Sequence, residues 1–558
     1  MTKNCLLTNT NFTISDRDLS LYDSLGLNPP TLCPEERLRR RIGHRNFRSL
    51  YHRQCSKTQK ALISMYHPQS PRVVVDNAWW WSDAWDAKDY ARDLDLSQSF
   101  FDQYRALAEV VPHYGLLNVK CENSDYSNFA FESKNCYLVF GCVRNEDCLY
   151  GHIVWDSRDC IDCLYAYRSE LSAHSVDIVN CYKVFYSLEA INCQNCYFLF
   201  DCQNCKHCFG GVNLRNAEYC FFGEQCTADE YFKRLDKIFP LTDGAVRQGM
   251  EWLVQAAMPQ ASYPEFFGSQ VENVSGNHLY EAKDLENCFD AKKSECASHC
   301  FTVWGVENSA DISFTGSPTR YCVDALTLFN AERVYYSQVI NNCYDVYYSE
   351  HCYGSHDLFG CNGLRNAAYC ILNQQYTKEK YFEVKAKLIA AMHQRGEWGE
   401  FFPLKDAPFA YNESIANEYL PLSQAEAEKR GLHWKNETTS EVRFSKPHLN
   451  FENISAVENQ ILEQQFSCAD SGKAYRIIPQ ELAFYRQEGL PLSKLCPDRR
   501  HELRMCLRTM RKLSLGQCKK CNSNINSAHL LLPQAQTLCM ECYQAQVWKQ
   551  QTEKTEAQ

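Results

Sequence analysis

The chain has 558 residues, a net charge of −10, and 45% apolar against 23% charged residues. One hydrophobic core does not organise that length, so several domains of about 100–200 residues each are expected. The charge argues against a chain-wide nucleic-acid surface, and no stretch approaches the roughly 20 apolar residues of a membrane span.

Thirty-two cysteines beside 33 Tyr and 30 Phe describe an interior built from thiols and rings. The opening "MTKNCLLTNTNFTISDRD" holds no apolar run of signal-peptide length. The expected location is therefore a reducing cytoplasm, where thiols pack as small hydrophobes or bind metal rather than pair as disulfides.

In chain order, residues 1–90 carry Cys5, Cys33 and Cys55 and the basic run "RLRRRIGHRNFRSLYHR" at 37–53. The run has helical propensity, and Arg39, Arg40, Arg41 and Arg45 could meet phosphates or pack on an acidic surface of the same chain. "NAWWWSDAWD" at 77–86 gathers Trp79, Trp80, Trp81 and Trp85, which suit stacking on a base or sugar, or packing at a domain junction. Residues 91–120 read as a connector.

The middle of the chain is written twice. "FGGVNLRNAEYC" at 209–220 returns as "FGCNGLRNAAYC" at 359–370, and "TADEYF" at 227–232 as "TKEKYF" at 377–382, which marks units at 121–258 and 271–398. Inside each unit the beat is shorter: Cys136, Cys148 and Cys160 are spaced like Cys181, Cys193 and Cys205, twelve residues apart. Short β-branched and aromatic runs punctuated by Asn, Asp and Gly read as the strands and corners of a β-solenoid. Thr227 with Glu230 forms a capping box before "EYFKRLDKIF", so each unit should end in a short capping helix. Leu214-Arg215-Asn216 and Leu364-Arg365-Asn366 read as the corner before that helix, with an Arg-Asn ligand site as the alternative. His207, His299 and His351 each precede a cysteine, and Cys205, His207 and Cys208 make a candidate metal set within the solenoid.

Residues 399–460 are polar and weakly periodic, a partly helical linker. Residues 461–550 repeat the first module at an offset of 463, with Cys5 on Cys468, Cys33 on Cys496 and Cys55 on Cys518; residues 551–558 read as a disordered tail. Cys518-Lys-Lys-Cys521 and Cys539-Met-Glu-Cys542 have the double C-x2-C spacing of a structural zinc site. Two knuckles complete a tetrahedron of thiolates and leave no open position. At least one structural Zn2+ is expected there, with iron in the same cage as the rival ion. At the same offset the first module keeps only Cys55 and Asp76 as possible ligands, with Thr58 and Trp79 in the other two places. Cys5 with Cys33, and Cys468 with Cys496, are half-sites or buried free thiols. A second basic run, "RRHELRMCLRTMRK" at 499–512, offers Arg504, Arg508 and Arg511 to phosphates or to the solenoid.

"KTQKALISMYHP…WWWSDAWD", "NCKHCFGGVNLRNAEYC", "CILNQQYTKEKYF" and "ELAFYRQEGLPLSKLCPDRRH" resemble a family of uncharacterised Cys-rich zinc-ribbon and repeat proteins predicted in genomes of the bacterial Candidate Phyla Radiation. The resemblance spans nearly the whole chain and implies zinc-ribbon ends around a cysteine-rich repeat, with no established activity. Its members carry fuller C-x2-C pairs at the positions matching Cys33 and Cys468, where this chain has Glu36 and Ser471.

The expected architecture is mainly β, a duplicated β-solenoid with short capping helices between two homologous small α+β modules of zinc-ribbon or treble-clef-like build. No P-loop, H-E-x-x-H, G-x-S-x-G or dinucleotide fingerprint occurs. The chain therefore reads first as a non-catalytic zinc-binding scaffold with a protein partner and no membrane. The alternatives are a nucleic-acid-binding protein using the basic helices, or a carbohydrate-active solenoid enzyme with paired carboxylates in one cleft.

Overall fold

The computed structural model describes residues 1–436 and 453–556, with residues 549–556 by backbone alone. The chain is mainly β, and two parallel sheets dominate it, one across 118–225 and one across 268–375. In the first, each residue lies beside the one twelve positions on: His152 beside Leu164, Leu164 beside Val176, Val176 beside Leu188. Every third residue takes the left-handed conformation; Asn180, Lys183, Tyr186, Glu189, Asn192 and Asn195 have φ of 52 to 55°. Three-residue sides and a twelve-residue circuit give four walls, so the chain winds up as a square-sectioned stack.

The sequence pattern follows from that geometry. A left-handed corner costs a non-glycine residue roughly 1–2 kcal/mol, least for Asn and Asp. Here the ladders above and below fix it. Asn side chains add a second ladder along one edge, Asn180 to Asn192 and Asn192 to Asn204 at 3.0 Å and Asn204 to Asn216 at 2.9 Å. The residue after each corner points into a narrow lumen, which admits small side chains. Those side chains are Cys, Ser, Ala and Val in the main, and Cys136, Cys148, Cys160, Cys193, Cys205 and Cys220 share one buried cluster. The serines and thiols also bond to backbone: Ser133 donates to the Phe131 carbonyl at 3.0 Å and accepts from the Asn145 amide at 3.2 Å, and the Cys193 thiol reaches the Ile191 carbonyl at 3.4 Å.

The second stack breaks phase twice. At Gly276, φ is 146° and an added Cβ would lie 1.7 Å from the Cys288 carbonyl oxygen, so only glycine fits. Between Val306 and Val323 the partner offset becomes thirteen, Val306 beside Thr319 and Ala310 beside Val323. Each stack ends in an antiparallel return, Glu224–Gln225 on Cys220–Phe221 and Gln374–Gln375 on Cys370–Ile371. A helix follows each return. Ala228–Leu235 starts at the expected Thr227–Glu230 capping box, and Lys378–Arg395 starts at Thr377.

The ends of the chain have matching elements at the 463 offset: hairpins Tyr51–Gln54/Ala61–Ser64 and Ser514–Gln517/Asn524–Ser527, and helices Pro34–Gly43 and Pro497–Met505. They dock crosswise. Val74–Val75 of the first module runs parallel to His113–Tyr114, which leads into the first stack, while its helix lays arginines on the second stack. Gln536–Leu538 of the last module runs parallel to Ser262–Pro264, which leads into the second stack, while its helix lays arginines on the first.

Two expectations change. Residues 401–436, read as linker, are packed, with Phe401, Phe402, Tyr411, Ile415 and Ala416 buried among the modules because their apolar side chains fill the junction; the rest of that linker at 437–452 lies outside the described residues. The segment read as a tail continues the helix Met540–Glu556 through most of its length.

Candidate metal centre and inter-stack cleft

In the last module the first knuckle sits in the turn between the two hairpin strands, and the second at the start of helix Met540–Glu556. The sulfurs of Cys518, Cys521, Cys539 and Cys542 all lie within 4.8 Å of one another, and Cys521 to Cys539 is 3.7 Å. A tetrahedron of about 2.3 Å Zn–S bonds places its sulfurs about 3.8 Å apart, so the four atoms fit such an ion. Burial alone would raise the Cys518 thiol, but the amides of Cys521, Cys539 and Lys520 outweigh it and bring it to about 6. Cys539 alongside pushes Cys542 up to about 12. Four crowded thiols do not all ionise unaided, and a bound cation supplies the missing charge.

The matching place in the first module holds no such set. The Thr58 hydroxyl donates to Asp76 at 2.9 Å, the Thr58 and Asp76 amides each reach the Cys55 sulfur at 3.3 Å, and Asp76 caps helix Asn77–Trp81 through the Trp79 amide. A hydrogen bond closes the gap that two sulfurs span in the other module. Cys5 and Cys468 are each brought to about 7, burial being outweighed by donors that include Thr8 and Ser471 respectively. Neither they nor Cys33 and Cys496 join any group of three or more ligands among the described residues.

Cys205, His207 and Cys208 do not assemble. The three-residue period points both cysteines into the lumen and puts His207 on an outer corner, where its ring stacks on Tyr219 at 5.4 Å. Burial pushes the lumen thiol of Cys322 up to about 12. Among the described residues no cysteine is in a disulfide.

The arginines offered to phosphates face inward, none more than 11% exposed. Arg41 reaches Asp311 at 3.0 Å and Asp324 at 2.9 Å, Arg40 reaches Asp324 at 3.1 Å, and Arg39 bonds Glu35 at 3.1 Å. Arg504 pairs with Asp162 at 2.9 Å, Arg508 with Asp177 at 2.7 Å and Arg511 with Asp290 at 2.6 Å. The acceptors Asp162, Asp177, Asp290, Asp311 and Asp324 are left-handed corners, so the residue type that turns the chain also presents its carboxylate outward to a docking helix. Arg45 lies over Phe129 at 3.8 Å and Phe314 at 4.2 Å, one ring from each stack.

The other sequence candidates are also structural. Trp80 is fully buried and donates to the Pro112 carbonyl at 2.9 Å, Trp79 and Trp85 stack at 5.9 Å, and Arg365 lies over Trp80 and Trp85. Arg215 pairs with Asp201 at 2.8 Å, inside the molecule.

Sequence reasoning did not find the cleft between the stacks. A cavity of about 270 Å³ is lined by Trp155, Tyr167, Asp177, His278, Asp290 and Trp304, with the two tryptophans stacked at 5.9 Å. His278 in its wall lies 3.8 Å from Asp177 and 3.6 Å from Asp290, which also line it, and 2.8 Å from Glu189, which does not. Burial pushes Glu189 up to about 7, while Arg508 and Arg511 overcome burial and hold Asp290 low. Residues from opposite stacks meet there, a pairing that no local motif announces.

No helix among the described residues is long and apolar enough to cross a membrane. No protein-family model matches the chain, and no curated protein matches it. Among solved structures, one described as a "putative acetyltransferase" from Desulfovibrio desulfuricans G20 aligns over 47% of this chain and 69% of that chain, at 10% identity and a TM-score of 0.11, a likeness too slight to carry any argument.

Proposed function

We propose that the protein is a non-catalytic, zinc-holding scaffold: a duplicated β-solenoid locked by two homologous end modules, one of which keeps its metal. The observation that carries this reading is the crossed docking. Each module adds a strand to the lead-in of one stack and lays buried arginines on the other, which ties four parts together. Its long walls are what remains to meet a protein partner. A closed set of four thiolates folds its module and leaves no position for a substrate. Thiols in the reduced form fit a cytoplasmic location. The test is elemental analysis of reduced, purified protein together with identification of what copurifies. At least one zinc per chain and a stoichiometric protein partner are expected; less than about 0.5 zinc or iron per chain removes the metal, and a chain that captures only RNA overturns the partner class.

The nucleic-acid reading is left without its residues, since Arg39, Arg40, Arg41, Arg45, Arg504, Arg508 and Arg511 face carboxylates and rings of the same chain. The cleft favours a second reading, a carbohydrate-active site. Stacked tryptophans suit the face of a sugar ring, and the carboxylates Asp177 and Asp290 line the same cleft. Oligosaccharide binding by calorimetry, abolished by Trp304→Ala and Trp155→Ala, would establish it; no heat with a broad glycan panel would remove it.

A further inference from the structure

We propose that His152, His501 and Glu418 form a second metal site, a two-histidine, one-carboxylate set for a divalent first-row transition ion, separate from the thiolate cage. The three ligands come from three elements: His152 from strand His152–Trp155 of the first stack, Glu418 from helix Ile415–Tyr419, and His501 from helix Pro497–Met505 of the last module. Their candidate ligand atoms all lie within 4.8 Å of one another.

The unpartnered nitrogens point to a ligand. His152 is fully buried and His501 is 3% exposed. Neither ring nitrogen of His152 has a hydrogen-bond partner, nor does Nδ1 of His501. A buried polar atom left unmade costs about 1–3 kcal/mol, so an imidazole with two such atoms calls for something to bind it. The polar contact within the set is His501 Nε2 to Glu418 Oε2 at 3.3 Å. The imidazoles lie 5.0 Å apart, and Phe47 closes the far side with its ring 5.1 Å from His152. Ligand atoms around an ion at about 2.0–2.2 Å stand about 3–3.5 Å apart, within reach of small ring rotations. Glu418 keeps 23% of its side chain exposed, so the site has a route to solvent.

The surroundings do not pre-empt the ion. The guanidiniums nearest the set are already paired, Arg48 with Asp498 at 3.1 Å, Arg504 with Asp162 at 2.9 Å and Arg511 with Asp290 at 2.6 Å. Two similar clusters fail this condition. In His113–Glu350–His351, Arg72 stands 3.1 Å from His113 and 3.7 Å from Glu350, where the cation would be. In Asp177–Glu189–His278, Arg508 reaches Asp177 at 2.7 Å. Two nitrogens and one carboxylate suit Zn2+ or Fe2+.

The test is a Co2+ titration of the full-length, reduced, chelator-stripped protein, with zinc per chain measured in parallel. Wild type should take up two ions: one with the intense near-ultraviolet sulfur-to-cobalt band of a thiolate cage, one without it. His152→Gln and His501→Gln should each remove the second ion alone, taking zinc from two per chain to one and leaving the sulfur band intact. Glu418→Gln, at the exposed rim and able to fold if a histidine variant does not, should weaken the second ion at least tenfold. One ion per chain in saturated wild type, or a count that none of the three variants changes, overturns the site. Loss of the sulfur band with the second ion retained would instead count against the cage, so the two proposals fail separately.

Discussion

The first and last modules share their elements at a constant offset, yet four sulfurs converge in one and a threonine–aspartate hydrogen bond stands in the other. The difference is one of surroundings. Cys55 belongs to the main core with Tyr66, Val74, Val75 and Trp80, so its knuckle is held by packing from outside. Cys518 belongs to a small separate cluster of Ile525, Leu538, Tyr543 and Val547. A cluster of that size does not order a module unaided, and the proposed metal would supply what the missing core does not. On the proposed reading, a knuckle absorbed into a core can lose its ion, while one at the periphery needs it.

The largest effect that could break this comparison is metal removal. Apparent binding energies for structural zinc in small modules are about 10–16 kcal/mol, so Cys539→Ser, or exhaustive chelation, should unfold the last module. Limited proteolysis should then cut within 510–545 while the first module stays intact. A last module that resists protease as well without metal as with it would show that packing, not the ion, holds it.

Next in size is the docking by arginine. Arg41 bonds two buried carboxylates and Arg504 one. Removing one partner of a buried pair costs about 3–5 kcal/mol when it strands the other charge, but Asp311 keeps Arg37 at 2.8 Å, Asp324 keeps Arg40 at 3.1 Å and Asp162 keeps Arg500 at 3.1 Å. Arg41→Met, which loses two contacts, should therefore lower the unfolding free energy from urea titration by about 2–4 kcal/mol and Arg504→Met, which loses one, by about 1–3 kcal/mol. Equal losses would mean that the two modules dock with equal strength.

Acid should act on both modules alike. Burial lowers His44 in the first and His529 in the last to about 4 each, and His351 in the second stack likewise. The unfolded chain binds these protons near pH 6.5 and the folded chain does not, so stability falls as pH drops from about 6.5 to about 4, by up to about 3 kcal/mol per histidine. Asp18, raised by burial to about 6, works the other way and gains stability over about pH 6 to 4. Asp159, raised by burial to about 6, and Glu189, raised to about 7, act with Asp18, while His174 and His299, lowered by burial to about 3, act with the other histidines, so five histidines outweigh three carboxylates. Urea midpoints should fall between pH 7 and 4.5, and His44→Gln and His529→Gln should each flatten that slope by a similar amount; a midpoint that rises toward pH 4.5 would contradict the balance.

Much of the β architecture was legible because its period is written in the residues: the twelve-residue cysteine spacing is the twelve-residue partner offset, and the Asn and Asp between cysteines are the corners. The finer three-residue beat was hidden, since Lys183, Tyr186 and even Val339 take the same left-handed conformation that sequence assigns to Asn or Gly. Local spacing also revealed the Cys518–Cys542 set. The fate of the arginines was not readable, because a basic helix looks the same whether its partner is a phosphate or a corner carboxylate such as Asp311, far off in sequence. The cleft and the His152–Glu418–His501 set escaped for the same reason: each takes its residues from separate elements that only the crossed docking brings together.

The smallest effect probes the substitute knuckle itself. Asp76 both accepts from Thr58 and caps helix Asn77–Trp81. Asp76→Ala should therefore cost about 2 kcal/mol, roughly half from the cap and half from the hydrogen bond. Thr58→Val removes the hydrogen bond alone, for about 1 kcal/mol, and Asp76→Asn keeps the cap through its one acceptor oxygen but replaces the oxygen facing Thr58 with an NH2 that only donates, so it should cost less than Asp76→Ala. In the double variant Thr58→Val/Asp76→Ala the losses should fall short of their sum by about 1 kcal/mol, the coupling of one exposed hydrogen bond. None of these values should respond to added zinc. A zinc-dependent midpoint in the Thr58→Val series would mean that Cys55 and Asp76 still hold an ion, and that the two modules differ in affinity rather than in kind.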